Sequence, residues 1–509
     1  MRHRASVDFD LAIVGAGFGG ALLALVARRL GKRVLLVERD RHPRFSIGES
    51  STPLANLWLE QLAHRYDLPR IHPLTKWGTW QRTYPEIGCG IKRGFTFYHH
   101  QAGQAWTPDP RHRHELLVAA SPHADIADTH WYRPDFDAFL VAEAIAAGVE
   151  YWDQTELAPP HGEIGRVELE GQRLGRTVAG SVGFLVDASG PRGFLHRTLE
   201  LPVSSWPELP ATRAVFSHFS GVERWDALHP SEGIPPYPPD DAAMHHVTSG
   251  GWMWVLRFRS GITSAGFTTR RPHQSGVTPE QEWAEWMQEF PAVAEQFRDA
   301  QPIRPVRGLQ QLAFRTGQAV GPWWVQLPAA AGFVDPLLST GIPLNLLGII
   351  RVARLLEEDW SAAAITKYGI DTLADLDVTA ALVGALYRVM DDFPTFRQLT
   401  MAYFAAASFS ETAQRLGHPE RAPGFLLRSL PAFTAGFHRI LPMAGRIPGA
   451  QLQQEIALWL EPYNLVGLGQ AAKQHWYGCD AKDLFAAADR IGASRAEIGT
   501  MLARCGFSA

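Results

Sequence analysis

At about 100 to 200 residues per domain, a chain of 509 residues holds two or three units and is neither a peptide nor a lone small module. Hydrophobic residues at 46% and charged residues at 20% supply a buried core and exclude wholesale disorder. With 48 basic against 52 acidic side chains the net charge is −4, which argues against a general nucleic-acid binder.

The start, Met-Arg-His-Arg, resembles the basic end of a signal peptide, but Asp8 and Asp10 interrupt the apolar stretch such a peptide needs. Leu11 to Val14 reads as a short buried strand, Gly15-Ala-Gly-Phe-Gly-Gly20 as a turn, and Ala21 to Leu30 as a helix. A second strand from Arg33 to Val37 ends in Glu38, 23 residues after Gly15. This is a dinucleotide-binding fingerprint with its strand, helix and terminal acid in order. Gly15 permits the tight turn, Gly17 lets backbone approach a pyrophosphate, and Gly20 lets the helix pack on the sheet. Glu38 is the expected acceptor for a ribose diol.

Further along, Arg133, Phe136, Asp137 and Leu140 recur at helical spacing, and Phe184 to Gly190 repeats the pattern of strand followed by polar turn. Residues 205 to 320, rich in aromatic, β-branched, Pro and Gly residues, suit an inserted sheet. Trp324 to Pro343 leads into a helical stretch from Leu344 to Leu356, and the remainder is Ala/Leu-rich with helical spacing. The fold expected is α/β: a Rossmann-type dinucleotide-binding domain, an inserted β-sheet substrate domain and a C-terminal helical region. Its parts are 1–205 with a substrate-facing segment around 72–130, a sheet at 206–305, a return at 306–355 and helices at 356–509. Cys89, Cys479 and Cys505 offer no disulfide framework or zinc site, and the pairs His99-His100 and His245-His246 point to opposite faces of a strand, so no metal is expected. No apolar run reaches the roughly 18 residues of a membrane span, and a cytoplasmic location is expected.

Five segments together resemble the flavin-dependent halogenases, within the FAD-dependent aromatic monooxygenase-like flavoproteins, and the phenol-directed branch in particular. They are Gly15 to Gly20, His42 to Pro53, Cys89 to Phe97, Gly251 to Val255 and Gly332 to Gly341. The resemblance implies an FAD site made by Gly15, Gly17, Gly20, Glu38, Arg44, Ser50, Arg133, Asp335 and Gly341. It implies that FAD is supplied reduced by a separate flavin reductase and reacts with dioxygen to a flavin hydroperoxide. Chloride or bromide, held at Ser339, Thr340 and Gly341, then becomes hypohalous acid that travels to a separate pocket. Glu49 resembles the residue linking the flavin and halide sites.

Lys92 matches the family lysine that captures or orients hypohalous acid beside the substrate, either as an ammonium donor or as a haloamine. Lys76 is a weaker candidate. Trp252, Trp254, Leu338 and Phe97 are expected at the substrate pocket. Leu338 stands where tryptophan-directed members carry a glutamate, so the substrate must activate itself, as a phenol or another electron-rich aromatic does, free or bound to a carrier protein. The family's Ile-Pro after the second tryptophan reads Leu256-Arg257 here. That departure keeps open an FAD-dependent aromatic hydroxylase and a non-catalytic flavin-binding protein.

Overall fold

The computed structural model describes residues 7–358 and 360–507. The short runs Leu11–Val14 and Val34–Val37 are buried at every position, as strands covered on both faces must be. They sit side by side in a six-stranded sheet ordered Val320–Gly321, Trp324–Gln326, Leu185–Asp187, Leu11–Val14, Val34–Val37 and Glu150–Trp152. All neighbours run parallel except the Val320–Gly321 edge. The helix Phe18–Arg29 packs against the helices Arg133–Ala146 and Gly341–Glu358, so three distant stretches of chain meet above one glycine turn. This is the Rossmann-type α/β domain expected.

A second, nine-stranded sheet draws on more of the chain than the 206–305 stretch. Its main path is Gln301–Pro302, Arg213–Ser220, Thr263–Thr269, Gly251–Arg257, Ala243–Thr248, Gly94–His99, Glu115–Ala119 and Trp476–Tyr477, and Arg307–Leu309 also pairs with Arg213–Ser220. Beside it, Cys89–Lys92 pairs antiparallel with Asp128–Trp131, and that register sets Lys92 opposite Asp128.

The C-terminal helices are started by local chemistry. Ser361 Oγ accepts from Ala364 N–H ahead of Ala362–Arg388, and Asp392 Oδ1 accepts from Thr395 N–H ahead of Phe393–Arg415, which also has Pro394 in its first turn. Phe393–Arg415 lies on the large sheet through two matched periodicities. Phe95, Phe97 and His99 share one strand face, and they meet Tyr403 and Phe404, Phe396 and Phe404, and Phe393 respectively, at ring separations of 5.0 to 6.4 Å. Among the described residues no helix is long and apolar enough to cross a membrane.

On the two faces of the large sheet and on the Asp128–Trp131 strand lie several buried, neutral histidines. His246 shares hydrogen bonds with His100 (2.9 Å) and Gln296 (3.1 Å), and His245 Nδ1 lies 3.2 Å from Thr96 O. Burial pushes His130, His245 and His246 down to about 3 from 6.5. The unfolded chain therefore binds more protons below pH 6.5, and the stability present above that pH is lost as pH falls from 6.5 towards 3. Denaturant titrations at pH 7.5 and 5.5 are expected to differ by roughly 1 kcal/mol for each of these histidines. Equal stability at the two values would mean that the rings accept protons in place.

Candidate active site

The turn after the first strand is built for an anion. Gly15 has φ +101°, and a side chain there would meet the Ala188 carbonyl oxygen at 2.6 Å. A Cβ on Gly20 would lie 1.9 Å from the Gly15 carbonyl oxygen, so only glycine lets the helix close on the turn. The helix opens with no side-chain cap and no acidic residue in its first turn, leaving its N–H groups and positive dipole end available. Beside Gly17 lie two cations, Arg133 Nη2 at 3.4 Å and Arg44 Nη2 at 3.6 Å from where its Cβ would be, and the carboxylate that pairs with the first of them, Asp137 Oδ2 at 3.7 Å.

Both guanidiniums are anchored. Arg133 forms a two-point pair with Asp137 (2.7 and 2.8 Å), donates to the carbonyls of Ile47 and Gly48 (3.1 Å each), and stacks over Phe18. Arg44 donates to Glu38 Oε2 at 3.0 Å, and the Glu38 carboxylate also accepts from the Ala16 and Asp40 amides. Burial works against ionisation of Glu38, but Arg44 and the two amides outweigh it and hold the carboxyl below its ordinary value. Orphan helix amides, a glycine cradle and two fixed guanidiniums are the donor set a dinucleotide pyrophosphate requires, and FAD fits them.

The second approach to this site is the loop 335–341. Asp335 is wholly buried, accepts from Tyr387 Oη (2.9 Å) and Leu337 N–H (3.0 Å), and is pushed up to about 7 by burial. Its carboxyl holds the loop in shape. Ser339 adopts the left-handed region at φ +53°, and the helix Gly341–Glu358 begins two residues later, again with no acid in its first turn. No atom lies within 4 Å of a Cβ built on Gly341. An 18-residue helix thus offers its N-terminus beside open space, suited to a halide at Ser339-Thr340-Gly341.

One short segment joins this region to Lys92. The Gly48 carbonyl accepts from Arg133, and the Glu49 carboxylate meets His218 Nε2 at 2.7 Å with both side chains buried. The Glu49 carbonyl accepts from Trp131 N–H at 2.7 Å. Lys92 Nζ then donates to Ser50 Oγ (2.9 Å) and the Ser51 carbonyl (2.5 Å), and lies 3.8 Å from the Phe95 ring centre. Lys92 has 0% exposure, and burial pulls its amine below the ordinary lysine value. Ser50, expected at the cofactor, has its hydroxyl turned to Lys92.

Beyond Phe95 opens a cavity lined by Thr52, Asn56, Lys76, Phe95, Asp128 and the helix face Tyr403 to Arg415, among others. Lys92 stands behind Phe95 and Asp128, whereas Lys76 is on the wall itself. Phe97, Trp252, Trp254 and Leu338 do not line this cavity. Phe97 stacks on His245 (4.3 Å), which contacts Trp252 (5.1 Å), and Trp254 lies 6.0 Å from Trp252. These rings fill the space between the Asp335 loop and Phe95, and Leu338 is completely buried. Sequence reasoning missed His218, Asn56, Asp128 and the wall from the Phe393–Arg415 helix. Each joins the site through a non-local contact, and only the Lys92–Asp128 strand pairing carries a signal, one that needs the register to be known.

The tryptophan halogenase family model matches residues 123–405, and a NAD(P)-binding Rossmann-like domain model matches residues 13–74. The chain belongs to the tryptophan halogenase family. Monodechloroaminopyrrolnitrin halogenase PrnC of Pseudomonas fluorescens is 29% identical over 76% of this chain and 69% of its own length. Tetracycline 7-halogenase of Kitasatospora aureofaciens is 30% identical over 69% of this chain, which spans 65% of that relative. The fold matches halogenase PltM, solved with phloroglucinol and FAD, at a TM-score of 0.81 and 24% identity, covering 92% of this chain and 99% of that one. As a flavin-dependent halogenase the chain is an oxidoreductase that uses FAD and halide.

Gly20 and Gly341, both expected at the cofactor, differ in what a side chain would meet. Gly20→Ala is expected to cut FAD retention more than tenfold or abolish folding, because backbone must move to admit the methyl group. Gly341→Ala is expected to fold normally and to gain up to about 1 kcal/mol, since its methyl meets no protein atom and alanine favours the helix. Flavin absorbance of the purified proteins and thermal melts measure both, and equal behaviour of the two variants would contradict these assignments.

Proposed function

We propose that this chain chlorinates or brominates a phenolic or comparably electron-rich aromatic, with Lys92 delivering the electrophilic halogen to the ring. The observation that carries the reading is the buried Lys92 amine, held by Ser50 and Ser51 at the end of the segment that begins at Arg133 and Glu49. In this reading Gly15, Gly17, Gly20, Glu38, Arg44 and Arg133 hold the FAD, while Ser339, Thr340 and Gly341 hold the halide. Bound FAD, received reduced from a separate flavin reductase, would activate dioxygen, and the dioxygen would supply both the oxygen atom and the two-electron oxidation that convert halide to hypohalous acid.

The protein's own part is to guide that small oxidant. The rings of Trp252, His245 and Phe97 exclude water along the way, and Glu49 with His218 fixes the start of the path. Lys92 donates a hydrogen bond to the oxidant's oxygen, which leaves the halogen atom facing the cavity. Leu338 accepts no proton, so the substrate brings its own electron donation. The phloroglucinol in the PltM complex and the monodechloroaminopyrrolnitrin in the name of PrnC are ring systems of that kind. The stack of rings between the Asp335 loop and Phe95 disfavours direct contact of a substrate with the flavin, which a hydroxylase would need.

Incubation with reduced FAD, dioxygen, bromide and a panel of phenols is expected to give products with the two-line bromine isotope pattern in mass spectra. Lys92→Ala is expected to keep FAD and to lose brominated product by two or more orders of magnitude. Full bromination by that variant would refute the role of the lysine, and added oxygen without bromine in the wild-type products would favour the hydroxylase.

A further inference from the structure

The cavity beyond Phe95 contains a carboxylate with unused capacity. Asp128 is 5% exposed, sits opposite Lys92 in the strand pair, and lines the cavity together with Asn56. Its Oδ1 accepts from Asn56 Nδ2 at 2.8 Å, while its Oδ2 is buried and has no hydrogen-bond partner. A buried carboxylate oxygen without a donor costs free energy in every state in which no ligand meets it.

Burial pushes the Asp128 carboxyl up to about 7, Glu411 adds to that, and Lys92, Arg415 and the Asn56 hydrogen bond work against it, so the accepting, ionised form is present from neutral pH upward. Lys92 and Arg415 face Asp128 as cations and Glu411 as an anion, with the neutral donor Asn56 beside them. Lys92 in turn has a carbonyl, a hydroxyl and a ring face as partners, all of which suit an ammonium, although burial opposes it.

We propose that Asp128 Oδ2 accepts a hydrogen bond from the ring hydroxyl of the substrate, making Asp128 a catalytic residue for a hydroxyarene class of substrates. The consequence lies in ring chemistry. A carboxylate drawing on the O–H raises electron density at the ring carbons ortho and para to the oxygen, which are those a halogen electrophile attacks. That is the assistance Leu338 cannot give, supplied from the Lys92 side of the cavity instead. The inference rests on the proposed halogenation of phenols for its chemistry, but its binding consequence is independent of turnover.

The test compares 4-bromophenol with 4-bromoanisole, its methyl ether, by calorimetric titration of the FAD-loaded protein. The wild type is expected to bind the phenol ten- to a hundredfold more tightly. Asp128→Asn preserves shape, and because Asn56 Nδ2 still donates to the remaining carbonyl oxygen, the new amide presents N–H groups where Oδ2 was. The preference is expected to fall to within twofold, with FAD affinity unchanged, and Asp128→Glu is expected to restore part of it. Equal binding of the two ligands by the wild type, binding of neither, or a preference kept by Asp128→Asn would each overturn the proposal. A wild-type preference lost in Asp128→Asn, together with no brominated product from any phenol, would leave this inference standing and sink the proposed reaction.

Discussion

The architecture depends on keeping one amine dry. Lys92 is fully buried, and an ammonium in that position is tolerated only because its neighbours replace water: Ser50 Oγ, the Ser51 carbonyl and the face of Phe95. Ser50 and Ser51 come from a stretch whose earlier residues reach towards the glycine turn, where the Gly48 carbonyl is fixed by Arg133 and the Glu49 carboxylate by His218. Displacing any part of residues 48–51 would therefore disturb both ends at once. A single extended segment ties the position of the amine to the position of the cofactor cradle, and rigidity there is what two separated sites require.

Arg257 shows how the family pattern can change without loss of the surrounding frame. Where relatives of the resembling type continue with Ile-Pro, Leu256 is buried and Arg257 donates to Asp240 (2.7 Å) and to the carbonyls of Val222 and Glu223. The guanidinium pins the end of the Gly251–Arg257 strand to the 222–241 loops. Its own carbonyl lies so near Gly90 that a side chain there would sit 1.8 Å from it, which keeps the Lys92 strand flush against the large sheet. At the position where that pattern has proline, the strand end is fixed by the hydrogen bonds of Arg257.

Much of the fold was legible because its signals are local. Leu11–Val14, Gly15 to Gly20 and Val34–Val37 announce a parallel unit through a run of apolar residues and obligatory glycines. Lys92, Glu49 and Ser339 to Gly341 were legible as parts of family segments. The cavity was less so. Phe95 lines it although Phe97 was the expected residue; the two share one strand face and the neighbour Phe404, and they differ in that Phe95 also meets Tyr403 whereas Phe97 meets Phe396. His218 and Asp128 carry no local mark because each acts through a partner far away in the chain: Glu49 in one case, Lys92 and Asn56 in the other.

The exchange of a glutamate for Leu338 then acquires a physical logic. A substrate lacking a strong ring donor needs a carboxylate near the reacting carbon, whereas a hydroxyarene needs only that its O–H be met by an acceptor, because the oxygen lone pair conducts charge into the ring. An acid at 338 would lie among Leu337 and the rings around His245, where ionisation is costly. Asp128 faces the charged partners Lys92, Arg415 and Glu411, and Asn56 already binds one of its oxygens. The cost of burying a carboxylate is lower beside a lysine amine than inside an aromatic stack. In the proposed reaction Asp128, on the cavity wall opposite Lys92 in the strand pair, would hold the charge that prepares the ring.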